Sequence, residues 1–399
     1  MTFDDLAYLK TPEARRLIAE NEKTDPSVFA LKNRNPALAT QLKYWQRSRL
    51  KLPSLYAAQA IVPPLAFEQC SSELAASAKE VSGKRCLDLT CGLGIDALHF
   101  SNYFEEVIAV EQNAVLAEVV RYNLGLMNVK NVEIKTETAE NYVKNYSGEP
   151  FDLIFIDPAR RDDSGKKVFL PEDCSPNIVE LLPFLEKIGR KIMVKMSPMY
   201  DVDAAVRQFP NLERVVILSL NNECKEVILE FGERQSTAFT QPLIYAKANK
   251  NNEFIEIKRV GKVMGLAQYV ERYKYVIEPD VAFYKGRMLT DFYRHFFDSE
   301  CMQLTEANGF FVSDNLNIYP SLCRIFKIWV QMDYHPRQLK TRLKSLWAAN
   351  GHINVIQRNF PFSTEEIRKS LNVKEGGNYY LICTLVNGKK VAWIAERVQ

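Results

Sequence analysis

Between positions 86 and 112 an acid, two glycines and a second acid recur at a spacing that suits a nucleotide-type cofactor. The run Cys86-Leu87-Asp88-Leu89-Thr90-Cys91-Gly92-Leu93-Gly94-Ile95-Asp96-Ala97 passes from apolar residues to a carboxylate, a glycine turn and the start of an amphipathic helix. Glycines at such a turn let backbone N–H groups approach a ligand at the N-terminus of the helix. A second apolar run, Val107-Ile108-Ala109-Val110, ends on Glu111 and Gln112; Glu111 lies 17 positions past Gly94. A carboxylate about 20 residues on is placed to hold two ribose hydroxyls. Gly92, Gly94 and Ala97 also satisfy G-x-G-x-x-G/A, which keeps a nicotinamide-dependent oxidoreductase open. Asp88 discriminates, because a carboxylate at the end of the strand repels a pyrophosphate and attracts an ammonium. The residues expected to hold such a cationic cofactor are Asp88, Gly92, Gly94, Asp96, Glu111 and Gln112.

A third run, Phe151 to Ile156, stops on Asp157-Pro158-Ala159-Arg160-Arg161. Ligands of doubly wound sheets sit beyond such carboxyl ends, which places Asp157 and Pro158 beside the transferred group. Arg160 and Arg161 offer forked donors for phosphate, or are surface charges. Lys195 and Ser197, at the end of a further apolar run, either line the same pocket or form the polar end of a strand. Gln69 and Ser71 precede a helix opened by Ser72-Glu73 and are placed to reach the mouth of the site, although capping explains the serines equally well. Glu140, in Thr138-Ala139-Glu140, either flanks an adenine or only begins a helix.

Asp88-x-x-x-Gly92-x-Gly94 with Glu111 resembles motif I and its sequel in class I S-adenosylmethionine-dependent methyltransferases. The resemblance implies that Asp88 and the glycine loop meet the methionine moiety and Glu111 the ribose. Asp157-Pro158 resembles motif IV of the amino-methyltransferases, but Ala159 stands for its second proline and Arg160 for its aromatic. The platform those enzymes lay under a flipped base is therefore missing. Asp157-Pro158-Ala159-Arg160 is also similar to the Asp-Pro-Pro-Arg of uridine C5-methyltransferases, which need a cysteine after the fifth strand for a covalent adduct. Met196 and Ser197 stand there instead. Direct in-line transfer to nitrogen or oxygen is thus expected, with positioning and desolvation as its main devices and Asp157 as the catalytic candidate.

The elements that must hold these residues alternate between strand and helix from 85 to 219, with strands near 85–90, 106–111, 131–135, 151–157, 190–196 and 213–219. Such alternation predicts a parallel sheet with helices on both faces, and Asn221-Asn222 followed by Val227–Phe231 predicts an antiparallel return. Residues 1–50 read as helical, punctuated by Pro12, Pro26, Pro36 and Pro53. Near the C-terminus, Ile353 to Ser363, Thr364 to Leu371 and Gly376 to Ile382 are similar to the THUMP-like domain of bacterial class I methyltransferases, and Glu278-Pro279-Asp280 resembles the small ferredoxin-like insert before it. The expected class is α/β, a Rossmann-like methyltransferase sheet with an N-terminal helical extension (1–54), a methyltransferase domain (55–235), a ferredoxin-like α+β connection (236–320) and a THUMP-like domain (321–399). The resemblance implies RNA, tRNA or rRNA, as substrate.

Composition sets the remaining bounds. The chain has 399 residues, 47% hydrophobic and 25% charged, as expected of two or three globular domains. The start lacks a leader pattern and no run of about 18 apolar residues occurs, so no membrane contact and a cytoplasmic location are expected. Eight cysteines without a C-x-x-C pair and four dispersed histidines give no reason to expect a metal. Charge is divided: residues 240–399 carry +8 and residues 1–239 carry −5. Arg324, Lys327, Arg337, Lys340, Arg342 and Lys344 alternate with Phe326, Trp329, Tyr334 and Trp347, which suits nucleic acid or an amphipathic helix with a solvated face. An RNA-binding protein without catalysis, an oxidoreductase, and a methyltransferase acting on a small molecule or protein all remain as alternatives.

Overall fold

The computed structural model describes residues 1–33, 35–159, 171–232, 241–250, 253–260, 273–297, 303–304, 308–314, 321–346 and 351–398. Arg160, Arg161 and Trp347 lie outside the described residues. Contacts divide the chain into two compact units, one of Met1–Val215 with Lys225–Pro242 and one of Val216–Cys224 with Leu243–Gln399.

Five parallel strands organise the first unit: β1 (Gly83–Asp88), β2 (Phe104–Val110), β3 (Val132–Lys135), β4 (Phe151–Ile156) and β5 (Gly189–Met196). They lie in the order β3-β2-β1-β4-β5. The central strands are apolar along consecutive residues, Leu153 to Ile156 all being buried, because helices cover both faces of a parallel sheet. The chain continues through β6 (Arg214–Leu220) and turns at Asn221 and Asn222, whose φ angles are 54° and 62°, into β7 (Glu223–Phe231). Asparagine tolerates the positive φ that a two-residue I′ turn demands at both positions. β7 then runs antiparallel to β5, with Met196 opposite Val227.

Side-chain caps set the starts of the crossover helices: Asn113 accepts from the Leu116 amide, Thr138 from Asn141 and Asn177 from Val179 and Glu180. The N-terminal helices begin on prolines at Pro12, Pro36, Pro53 and Pro64, where the missing N–H costs nothing. Their apolar faces, including Leu9, Phe29, Leu42 and Trp45, form one core with Leu93, Ile95 and Val119 of the segments after β1 and β2. The helical extension therefore braces the glycine loop from behind.

The second unit contains the antiparallel pair β8 (Leu243–Lys250) and β9 (Glu253–Lys258). It also contains β10 (Tyr275–Pro279), β11 (Gln303–Leu304), β12 (Phe311–Ser313), β13 (Cys323–Asp333), β14 (Asn354–Gln357), β15 (Tyr379–Val386) and β16 (Lys389–Arg397). These seven form a sheet in the order β11-β12-β10-β13-β16-β15-β14. One core gathers Phe326, Ile382 and Trp393; another gathers Leu339, Leu343, Ile367, Leu381 and Ile394. The helix Pro336–Leu346 buries Leu339 and Leu343, four residues apart, and exposes Arg337, Lys340, Arg342 and Lys344. Phe326 and Tyr334 are core residues, whereas Trp329 sits at a β-bulge between Ile328 and Val330 and is 57% exposed.

Candidate donor and acceptor site

The turn after β1 favours glycine at two positions. Gly92 and Gly94 have φ of +54° and +78°, and a Cβ on Gly94 would lie 2.8 Å from Cγ1 of Val120. Around this turn the backbone is tied down by side chains. Glu111, just past β2, accepts the Gly92 amide on Oε2 at 2.9 Å and the Asn113 amide on Oε1 at 2.7 Å. Asp88 ends β1 and accepts the Thr90 amide on Oδ1 at 3.0 Å. Thr90 in turn accepts the Asp157 amide on its hydroxyl at 2.6 Å, which links the glycine loop to the end of β4.

Behind the loop lies a buried ionic cluster. Lys79 Nζ is 2.9 Å from Asp96 Oδ1 and 2.9 Å from Glu226 Oε2. Lys195 Nζ is 2.5 Å from Asp157 Oδ2 and donates to the Ser71 hydroxyl at 3.0 Å, while that hydroxyl donates to Glu226 Oε1 at 2.8 Å. The β5–β7 register pairs Lys195 with Ile228, two residues from Glu226, and Lys195 Nζ is 3.8 Å from Glu226 Oε1. Among the described residues, Asp88, Asp96, Glu111, Asp157 and Glu226 thus share one region with two ammonium groups, Lys79 and Lys195. The second oxygen of Asp88, Oδ2, is buried with no hydrogen-bond partner.

Burial, modified by the neighbouring charges, sets the protonation tendencies. Burial, reinforced by Asp96, pushes the Asp88 carboxyl well above the ordinary carboxylate range. Burial also raises Glu111, against the pull of its two amides, and raises Asp157, against the pull of Lys195. For Lys195 burial opposes the charge, but Asp157, Glu226 and Asp96 override it and hold the ammonium protonated. Asp96 behaves oppositely to Asp88: despite burial, Lys79 and Lys195 hold it below its ordinary value. Such an environment welcomes a cation.

Asp88, Asp96, Asp157, Lys195 and Ser71 are therefore brought together, with Gly92, Gly94 and Glu111 forming the adjoining loop. Pro158 is buried, and Ala159 exchanges two backbone hydrogen bonds with Ser175, at 2.7 and 3.1 Å, which fix the chain beyond Asp157. Ser197 is buried, its hydroxyl accepting the Met199 amide at 3.1 Å. Gln69 and Gln112 are exposed and Glu140 is half-buried in the first turn of the helix Ala139–Asn145; among the described residues none of the three bonds to the cluster. Three cluster members are missing from the sequence-based expectation. Lys79 looks like the solvated end of a helix and Glu226 like strand-edge polarity, so neither carries a signal. Thr90, a hydroxyl inside a glycine loop, carries one.

Comparison with known proteins gives the following similarities. Residues 323–397 match the family model described as THUMP domain-like, and residues 66–169 match the family described as Conserved hypothetical protein 95. The chain ends in a THUMP-like domain. A 23S rRNA (uracil(1939)-C(5))-methyltransferase of Cronobacter sakazakii is 38% identical over 85 residues, 21% of this chain and 20% of that protein. Ribosomal RNA small subunit methyltransferase D of Buchnera aphidicola is 32% identical over 92 residues, 22% of this chain and 47% of that one. The chain thus spans between a fifth and a half of the length of these curated relatives. A crystal structure from Porphyromonas gingivalis W83, provisionally named a methyltransferase, covers 97% of this chain and 98% of its own at 23% identity, with a TM-score of 0.78. The two chains share their fold along nearly their whole length.

Proposed function

We propose that the protein is an S-adenosylmethionine-dependent methyltransferase that acts on a base, at nitrogen, of a structured RNA, either tRNA or rRNA, by direct displacement without a covalent adduct. The observation that carries this reading is the buried, partnerless Oδ2 of Asp88 beside the glycine loop, in a region where five carboxylates share two lysines. An unsatisfied buried acceptor costs about 1–3 kcal/mol, and the ammonium of an amino-acid moiety would satisfy it. When bound, the donor would supply a methyl group on a sulfonium centre, open to attack by a lone pair with the neutral thioether as leaving group. Asp88 and the loop amides hold its amino-acid end. Glu111 has lone pairs left after accepting two amides and can hold the ribose hydroxyls.

Asp157 meets the acceptor. Lys195 pins Oδ2 and leaves Oδ1 to accept a hydrogen bond from the target amino group, aligning its lone pair with the methyl group. The proton released after transfer goes to the same oxygen. The uracil-C5 relatives favour a second target, carbon 5, but a covalent route needs a thiolate. Met196 and Ser197 occupy the place after β5, and burial pushes the thiol of Cys70, beside Ser71, upward despite Lys51 and Lys195. Among the described residues no His, Cys, Asp or Glu group is arranged to hold a metal, and no helix is long and apolar enough to cross a membrane. The reading places the enzyme in the cytoplasm, where its RNA substrates are.

Calorimetric titration with S-adenosylmethionine and, in parallel, NAD tests the donor. Binding of the first alone, lost in Asp88→Ala and Glu111→Ala, is expected; NAD binding would establish the oxidoreductase instead, and RNA binding without either would leave a non-catalytic RNA-binding protein. Transfer of labelled methyl to hypomethylated cellular RNA tests Asp157, whose replacement by Ala is expected to abolish turnover with donor affinity kept.

A further inference from the structure

The Glu278-Pro279-Asp280 segment of the second unit has a structure the transferase reading does not use. Asp280 acts locally, capping the helix Val281–Lys285 through the Ala282 amide at 2.9 Å and accepting the Ser219 hydroxyl at 3.0 Å. Glu278 does something else. Its side chain is 1% exposed, and two arginines converge on it from different strands. Arg324, its cross-strand partner on β13, donates from Nε at 2.8 Å and from Nη2 to Oε2. Arg358, just past β14, donates to Oε1 from Nη2 at 3.1 Å and from Nε at 3.3 Å. The Arg358 guanidinium also lies 4.0 Å from the ring centroid of Tyr284, whose hydroxyl is anchored on the Gly309 carbonyl.

Both arginines therefore spend the same edge, Nε and Nη2, on the carboxylate. Among the described residues their Nη1 groups have no partner, and the side chains are 26% and 27% exposed. Burying a carboxylate between two guanidiniums is no efficient way to stabilise a fold, since apolar residues of equal volume do as well. What the arrangement supplies is two planar forks held rigid on partly exposed side chains, each with an edge not spent on Glu278. Two guanidiniums thus share one buried carboxylate, Glu278, while Asp280 is engaged by the Ser219 hydroxyl and the Ala282 amide. Rigid guanidinium edges with surplus positive charge match the oxygens of a phosphate.

We propose that Arg324 and Arg358, tethered by Glu278, form a phosphate-binding site that takes a phosphate group of an RNA strand. The identity of the strand rests on the RNA reading above; the phosphate chemistry does not. The shared ligand is a phosphate, either a terminal monoester or an internal diester.

The test uses the full chain in two arms. In the first, inorganic phosphate is compared with sodium chloride at matched ionic strength. It is expected to raise the thermal midpoint of the parent, and Arg324→Gln and Arg358→Gln are expected to lose that rise. Glu278→Gln, which keeps both forks and removes a negative charge, is expected to enlarge it. Arg358→Lys keeps the charge without the fork and should retain only part, which covers the case in which a glutamine variant fails to fold. No rise in the parent, or an equal rise in the folded arginine variants, overturns the site.

In the second arm, anisotropy of a labelled single-stranded RNA is read with a 5′-phosphate and with a 5′-hydroxyl. Arg358→Gln is expected to weaken binding about tenfold and to lower the salt slope by about one. A loss confined to the 5′-phosphorylated strand assigns a terminal monoester, and an equal loss on both assigns a diester. Unchanged RNA affinity alongside a lost phosphate effect overturns the RNA ligand while the phosphate site stands. S-adenosylmethionine affinity should be unchanged in every variant, so failure of the transferase reading appears separately, as absent donor binding in the parent.

Discussion

Each unit contains a buried carboxylate surrounded by charged neighbours, yet the two surroundings have opposite balance. Around Asp88 five carboxylates share two lysines and one carboxylate oxygen has no partner. Around Glu278 both oxygens are taken by arginines, and the cations are in excess. The same residue types therefore prepare opposite ligands, a cation in the first unit and an anion in the second. Burial makes each preference strong, because charges out of water are poorly screened. Flexibility separates them as well: lysines in the first cluster act as point charges that hold acids in place, whereas the arginines of the second present fixed planar edges.

The sharpest way to break this contrast is to remove the lysine that keeps the first cluster folded. Lys79 has a fully buried side chain between Asp96 and Glu226. Lys79→Met leaves both acids buried with only the more distant Lys195 as countercharge and is expected to cost about 3–5 kcal/mol of stability by denaturant unfolding. Glu226→Gln added to it should recover part of the loss, because the two side chains interact directly. A variant as stable as the parent would show that the cluster is not energetically coupled.

Asp88→Asn removes the charge with little change of shape, and its effect is the next largest. A charge-assisted hydrogen bond contributes about 1.5–3 kcal/mol, so calorimetry should show donor affinity falling by roughly tenfold to a hundredfold. Its pH dependence has a definite sign. Burial raises the folded-state values of Asp88 and Glu111 above their unfolded ones, so their ionisation opposes folding above the raised values. That opposition is relieved as pH falls through the raised values. Donor affinity moves the other way, since the cation needs the ionised carboxylate. Asp88→Asn should reduce both slopes; equal slopes in parent and variant would remove Asp88 from the donor site.

How much of this was legible in the sequence follows from the kind of interaction involved. The glycine turn was legible because positive φ restricts residue choice at Gly92 and Gly94, and the strands were legible because burial on both faces demands consecutive apolar residues, as in Leu153 to Ile156. Thr90 and Asp157 stand in motifs, and their mutual hydrogen bond only adds detail. Lys79 and Glu226 were not legible. Their burial depends on charges that are distant in sequence, Asp96, Lys195 and Asp157, and no local pattern tells a paired buried lysine from a solvated one. The basic stretch from 324 to 344 was legible as composition but not as geometry: Phe326 and Tyr334 turned inward, while a bulge turned Trp329 outward.

Gly94→Ala sharpens the comparison at intermediate size. The added Cβ meets Val120 and forces a positive φ on alanine, a strain of about 1–2 kcal/mol that should appear in the unfolding midpoint and weaken the donor. RNA affinity, supplied by the second unit in this reading, should not change. Equal losses of both would mean that the two ligands share one site.

The smallest effect expected is at Lys344, on the exposed face of the helix Pro336–Leu346, with no ion pair among the described residues. A flexible, solvated ammonium that meets only a phosphate contributes through counterion release, so Lys344→Gln should weaken RNA binding about twofold and equally for all sequences. Its effect should vanish at high salt, whereas the loss in Arg358→Gln, a fork held against a buried carboxylate, should partly survive. If both losses disappear together as salt is raised, Arg358 is only another surface charge, and the two units differ in charge but not in how they are built to bind.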